Sequence, residues 1–211
     1  MRFKFIGAGV LVVAAAALAV YGKLAPNPSQ VRLEQKIGAI LKSRERHIDC
    51  AELLDVMHNN QMQLAILDVR DEPDYNLFHI VDSRRLPKDP LSAPWLKSLP
   101  TDSIKVVVSN DERAAEAAWK QLMLAGVPHV YILAGGINHW LDIYGSGHHP
   151  TTLPAIPSPA GDDTLRHSFA LALGSRTPAA DPELAHTPKY DYIHKVRPPK
   201  PIVKMSGGCG G

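Results

Sequence analysis

Ile104-Lys105-Val106-Val107-Val108-Ser109-Asn110-Asp111-Glu112-Arg113 is the stretch on which the fold turns. Three consecutive valines make Ile104 to Val108 a buried strand, because such runs suit strands covered on both faces. Asn110 to Ala125 then reads as a helix that Gly126 ends. A strand feeding a helix through a short polar loop is the βα unit of an open parallel sheet. Ligands of such sheets bind beyond the carboxyl ends of the strands, where Ser109 to Arg113 stands.

The neighbouring segments repeat this alternation. Leu64 to Val69 is a second near-continuous apolar run, Ile80 to Leu86 a less apolar one, and Val130 to Leu133 a fourth. Asp49 followed by Glu52 is a capping-box pattern that starts a helix through Met57. Asp71 to Tyr75 opens a turn or short helix, and Ala134-Gly135-Gly136 leads into a last helix through Trp140. The expected architecture is α/β, with a central parallel sheet flanked by helices and right-handed crossovers.

Asp68-Val69-Arg70 with Tyr75 and Phe78-His79-Ile80, the strand–loop–helix from Ile104 to Trp119, and Gly135-Gly136-Ile137-Asn138-His139-Trp140 come in the order and spacing of one family. The combination, over residues 45–145, resembles rhodanese-like domains. That resemblance implies a sulfurtransferase in which a loop cysteine carries a persulfide. Loop amides and a basic residue then hold the anionic donor at a helix start. An Arg usually closes that loop, and Arg113 matches it. With Arg113 so aligned the cysteine position falls on Val108; with a loop one residue shorter it falls on Ser109. Neither supplies a thiol, because the two cysteines are Cys50 and Cys209. Some dual-specificity phosphatases have a related fold, but they too need a loop cysteine and a longer loop.

Ser109, Asn110, Asp111, Glu112 and Arg113 are the candidate ligand-binding loop. Ser109-x-x-Glu112 reads as a capping box, with Ser109 capping the third helical N–H and Glu112 reaching back. Asp111 and Glu112 would then fill the positive end of the helix and repel anionic donors. A serine nucleophile needs an adjacent base, and the sequence identifies none. Asp68 and Arg70 are expected to organise loops, His79 to bond backbone, Trp119 and Trp140 to pack, and Cys50 to behave as a small apolar side chain. His148-His149 stands without further ligands, so no metal and no cofactor is expected.

Phe5 to Gly22 is uncharged and apolar after Met1-Arg2-Phe3-Lys4. The run is long enough, at roughly 1.5 Å per residue, to cross a hydrocarbon core. Residues 1–23 are read as an uncleaved anchor, against a cleaved signal peptide suggested by Ala17-Leu18-Ala19. Either way the soluble part is expected on the extracytoplasmic, periplasmic side, and the anchored form is single-pass in the cytoplasmic membrane. Residues 24–44 are a linker with a short amphipathic helix, 45–146 the rhodanese-like domain, and 147–211 a Pro-rich, basic extension. Within it, His167 to Leu173 is expected to dock as one helix or strand, while 189–204 reads as a solvated tail or a partner surface.

The net charge of +2 gives no global case for nucleic acid. The partners expected are the membrane, through the N-terminal helix, and a protein. Cys209, between glycines near the end of the sequence, is sterically open. It carries the alternative function, a sulfurtransferase or sulfur carrier with its persulfide on the tail. The main reading is a binding or scaffold module without loop-cysteine chemistry.

Overall fold

The structure is a computed structural model, and it describes residues 27–146, 149–157, 162–171 and 173–198. The apolar run from Phe5 to Gly22 and the Cys209 segment lie outside the described residues. Among the described residues no helix is long and apolar enough to cross a membrane. Contacts divide the chain into two compact units at Ala39–Ile40. Helix α1 (Pro28–Ser43) runs through that boundary.

The second unit holds a five-stranded, all-parallel sheet. Its strands are β1 (His47–Ile48), β2 (Leu64–Asp68), β3 (Arg84–Arg85), β4 (Ile104–Val108) and β5 (Val130–Leu133). They lie in the order β1-β5-β4-β2-β3. The central strands are therefore the most apolar ones, β4 and its neighbours, and the short β1 and β3 form the edges. Leu64 pairs with Ile104 and Asp68 with Val108, so β2 and β4 end level with each other. This register brings Asp68 and the loop after β4 to the same carboxyl rim. The strand expected within 80–86 is Arg84–Arg85; Ile80 and Leu86 are buried outside the ladder while both arginines are exposed.

Alternation along the strands sorts the core. Ile66, Val106, Val108, Tyr131 and Leu133 join one cluster with α2 (Cys50–Met57) and α5 (Gly136–Tyr144). Leu67, Val107 and Ile132 are equally buried but fall outside that cluster. They face the side of α4 (Arg113–Leu124), whose Trp119 donates its indole N–H to the Val130 carbonyl at 2.9 Å. Trp119, Trp140 and Cys50 pack as their sequence context implies, since all three are fully buried. A short helix α3 (Glu72–Leu77) follows β2.

The extension is part of the first face. Ala179, Ala180 and Tyr190 belong to its core cluster, with Leu165, Phe169, Tyr192 and Val196 packed against it. Trp140 donates its indole N–H to the Ala179 carbonyl (2.6 Å), and the Val81 amide donates to the Ala180 carbonyl (2.9 Å). Residues 167–171 form no regular element, contrary to the helix or strand expected there. The described part of 189–204 is not a solvated tail. The Lys195 and Val196 amides both donate to one Glu52 carboxylate oxygen at 2.7 Å. The Lys195 ammonium donates to the carbonyls of His47 (2.6 Å) and Arg44 (3.2 Å).

This pairing corrects one capping expectation. Asp49 does cap α2, accepting the Ala51 amide, but Glu52 does not reach back to it. Its carboxylate is spent on residues 143 and 144 positions away. Burial pushes the Glu52 carboxyl up despite the two amides. Removing residues 189–211 leaves that buried acceptor unpaired. Since a hydrogen bond to a charged group contributes about 1.5–3 kcal/mol, the truncated chain should lose about 2 kcal/mol of unfolding free energy in a urea titration. An unchanged midpoint would show that the contact carries no stability.

Candidate functional site

Ser109 to Arg113 occupies the carboxyl rim of β4 and is closed from both sides. On the inner side stands the start of α5. Gly135 and Gly136 have φ of +71° and +62°, a region open to glycine. A Cβ on Gly136 would fall 2.0 Å from the Asp111 carbonyl oxygen and 2.6 Å from those of Asn110 and Ser109. With no Cβ present, the Ile137 and Asn138 amides donate to the Ser109 and Asn110 carbonyls, each at 2.9 Å. The loop's carbonyls thus point into one helix start, and its amides are left for the other side.

On the other side, those amides hold a carboxylate, and it comes from the extension. Asp163 accepts the Asp111 amide on Oδ1 (2.5 Å) and the Ala114 amide on Oδ2 (2.7 Å). An anion bridging amides at a helix start is favoured by both the free N–H groups and the helix dipole. The turn around Asp163 is held elsewhere too. Asn110 donates its side-chain amide to the Asp163 carbonyl (2.9 Å) and to Asp74 (2.6 Å). Asn138 donates to the Thr164 carbonyl (2.8 Å) and to Asp111 (3.0 Å), while its oxygen accepts the Arg166 amide (2.8 Å). Arg166 pairs with the Asp111 carboxylate at 2.8 Å. A cleft of about 460 Å³ remains open beside this turn, with Lys88, Asn110, Gln121 and Asp163 among its walls.

The capping box expected at Ser109 and Glu112 is not formed. The helix begins three residues later than expected, at Arg113, and Glu112 is its N-cap without a side-chain cap bond. Ser109 Oγ instead accepts the Ala115 amide at 3.2 Å. That hydroxyl is buried. Glu112 turns inward, accepting the Gly135 amide (2.7 Å) and both terminal nitrogens of Arg44 (2.6 and 2.8 Å). The negative charge at the helix start is therefore that of Asp163, which no local pattern announces. Arg113 is exposed on the first turn of α4.

The rim is otherwise fixed by a buried ion pair. Arg70 donates to Asp68 at 2.7 and 3.0 Å, to the Phe78 carbonyl at 2.6 Å and to Asn110 at 3.4 Å. Asp68 and Arg70 do organise loops. His79 bonds backbone as expected, giving its Nδ1 proton to the Tyr75 carbonyl (2.8 Å) and stacking on that ring. His149 pairs with the Ile143 carbonyl at 3.1 Å; His148 lies outside the described residues.

His47, Glu112 and Glu116 gather their ligand atoms within 4.8 Å, a donor set suited to a divalent cation. Arg44 already supplies the cation: both Glu112 oxygens are bound to its guanidinium, and one also to Gly135. The cluster is an ion-pair network. Burial raises the Glu112 carboxyl, but the Arg44 cation and the Gly135 amide outweigh it, so the group sits below its usual range. Burial and the Arg44 cation lower His47 despite its two carboxylate neighbours, leaving a neutral ring that donates from Nε2 to Glu116 at 3.1 Å.

Residues 49–143 match the family model of the rhodanese-like domain. This part of the chain is a rhodanese-like domain. Among solved structures, a full-length protein from Lactobacillus plantarum is 25% identical, covering 51% of this chain and 91% of that one, with a TM-score of 0.43. A rhodanese-like domain from Anabaena is 26% identical over 60% and 93% of the two chains, with a TM-score of 0.42. A rhodanese-related protein from Thermoplasma volcanium is 26% identical over 52% and 99%, with a TM-score of 0.39. No curated protein matches the chain. Ser109 to Arg113, the residues that follow β4, include no cysteine. Cys50, the first residue of α2, is fully buried, with its thiol pushed well up by burial first and then by nearby carboxylates.

The loop's closure makes Gly136→Ala severe. The added Cβ meets backbone carbonyls and the φ is unfavourable, so a loss of about 3 kcal/mol or more is expected in thermal or urea unfolding. Acidification should also destabilise the fold. His47 and His139 are both lowered, burial being the first cause in each. Their contribution is full above the unfolded histidine value of about 6.5 and is lost as pH falls below it. The loss should approach about 1.4 kcal/mol per pH unit for each ring, and His47→Gln should flatten the slope measured by urea unfolding at several pH values.

Proposed function

We propose that this chain is a membrane-anchored rhodanese-like protein that works as a binding or scaffold module, without sulfur transfer by a loop cysteine. The observation that carries this reading is the filled loop. Where a sulfurtransferase would need a thiolate and a vacant amide cradle, this loop has Ser109 to Arg113 and a bound Asp163 carboxylate. A second anion would meet Asp163 and Asp111 before it met an amide. Ser109 offers no substitute, because its buried hydroxyl accepts a backbone amide and a serine needs a base to react. Cys50 is unsuited as well, being buried and poorly ionised.

The apolar run from Phe5 to Gly22 supports a single-pass anchor in the cytoplasmic membrane, with the domain on the periplasmic side. Its partners are then the membrane, through that helix, and a protein that the domain engages.

A second reading is favoured by elimination. With Cys50 shut in, Cys209 is the other thiol of the sequence, standing between glycines. In this reading Cys209 carries a persulfide and the chain is a sulfurtransferase or sulfur carrier. Intact mass spectrometry of the reduced chain after incubation with thiosulfate separates the two. The binding-module reading expects no added sulfur. A one-sulfur gain abolished by Cys209→Ser would establish the carrier instead.

A further inference from the structure

We propose that the rhodanese-like loop is a receptor for an aspartate displayed on a turn of polypeptide with a basic residue three positions on, and that residues 162–167 are its tethered, self-masking ligand. The inference rests on the binding-module reading and names the partner chemistry of that same site. A partner presenting an aspartate on a similar turn takes the place of the strap.

Three features of the contact distinguish a peptide receptor from a simple anion hole. The Asp163 carboxylate spans two amides, so it is read as a planar, two-oxygen group. The loop and α5 also read the main chain around it: Asn110 takes the Asp163 carbonyl, and Asn138 takes the Thr164 carbonyl and the Arg166 amide. Asn138 is fully buried, yet its side chain is divided between the loop and the strap. Finally, Arg166 closes on the Asp111 carboxylate, so a basic residue three positions after the aspartate completes the match. Main-chain recognition and spacing of this kind have no counterpart in a free inorganic oxyanion.

The strap is also built to be exchangeable. Leu165 packs on the core, but the strap's other contacts are polar, and its outer anchors are half exposed: Arg166 against Asp111, and His167 against Asp142 at 3.1 Å. Polar, water-accessible contacts stabilise weakly in isolation, so the strap holds chiefly because it is tethered. Tethering acts as an effective concentration on the order of millimolar, and a free competitor must exceed it or bind better. Masking in this form keeps the loop amides from adventitious anions until such a partner arrives.

The test uses the full chain in wild-type form and with Asp163→Ala plus Arg166→Ala, which strips the strap of both charged anchors. The probe is the acetylated, amidated hexapeptide with the sequence of residues 162–167, Asp-Asp-Thr-Leu-Arg-His. Binding is followed by calorimetry, and by the amide resonances of Asp111 and Ala114. The double variant should bind the peptide at least about tenfold more tightly than the wild type does. The same peptide with Asn for its second Asp should bind at least about tenfold more weakly. Failure of a folded double variant to bind the peptide overturns the proposal, as does equal binding of the Asn peptide. Inorganic phosphate binding as tightly as the peptide would also overturn it, since the loop would then be an anion hole only. Circular dichroism establishes folding; if the double variant is unfolded, Arg166→Ala alone gives the same comparison, and no gain over wild type counts against the proposal. Sulfur loading of the chain would remove the binding-module reading without touching these outcomes, and absent peptide binding would leave that reading standing.

Discussion

The approach of Gly136 to the loop after β4 governs the geometry of the whole rim. Three loop carbonyls lie where a side chain on Gly136 would begin, and two of them accept amides from the first turn of α5. That contact decides which way the loop faces. Because its carbonyls are turned inward to α5, its amides are turned outward at the start of α4. The result is a ready-made cradle for negative charge, formed by backbone alone and insensitive to the side chains of Ser109, Asn110 and Asp111. A chain that keeps this glycine pair keeps the cradle whatever side chains follow β4.

What fills the cradle was not legible in the sequence, and the reason is physical. Strands β2, β4 and β5, the parallel sheet and the helices after β4 and β5 follow from apolar runs, which are local signals. The two-residue β1 carries no such run and is not among the expected strands. Ile104–Val108 and Val130–Leu133 have the expected bounds. Asp68, Arg70, Trp119 and Trp140 do as expected, because a strand end and a buried indole leave few alternatives. Glu112 went astray because a capping box and an inward ion pair look alike in sequence, and the deciding partner, Arg44, lies 68 residues away. Asp163, Asn138 and Arg166 carry no local mark at all. Their partners are separated from them by 26 to 55 positions, and a Pro-rich extension gives no periodicity from which docking could be read. The one available hint was charge: an Asp-Asp pair followed by Arg, close after the domain.

Two ionic devices therefore sit back to back across the first turn of α4. One is internal, where Arg44, Glu112, Glu116 and the neutral His47 are shared between β1 and α4. The other is external, where Asp163, Asp111 and Arg166 join the extension to the loop. The internal pair fixes where α4 starts. The external one exploits that start. Burial separates their roles, since Glu112 and His47 are shut from water while Arg166 is not.

The clasp of Lys195 on β1 and of Glu52 on the Lys195 and Val196 amides has a consequence for biogenesis. β1 is the first strand made, yet its outer rim is finished by residues close to position 197. During synthesis the amino-terminal part of a domain emerges first and begins to fold. Here it must wait, with Glu52 unpaired and an edge of the sheet bare, until nearly 150 further residues have followed. Once β5 has been made, about 60 further residues must follow before Lys195 arrives, an interval in which the sheet can form but its β1 rim is unfinished. A protein of this design would benefit from an escort that shields β1 over that interval, and its yield should depend on how quickly the extension is delivered.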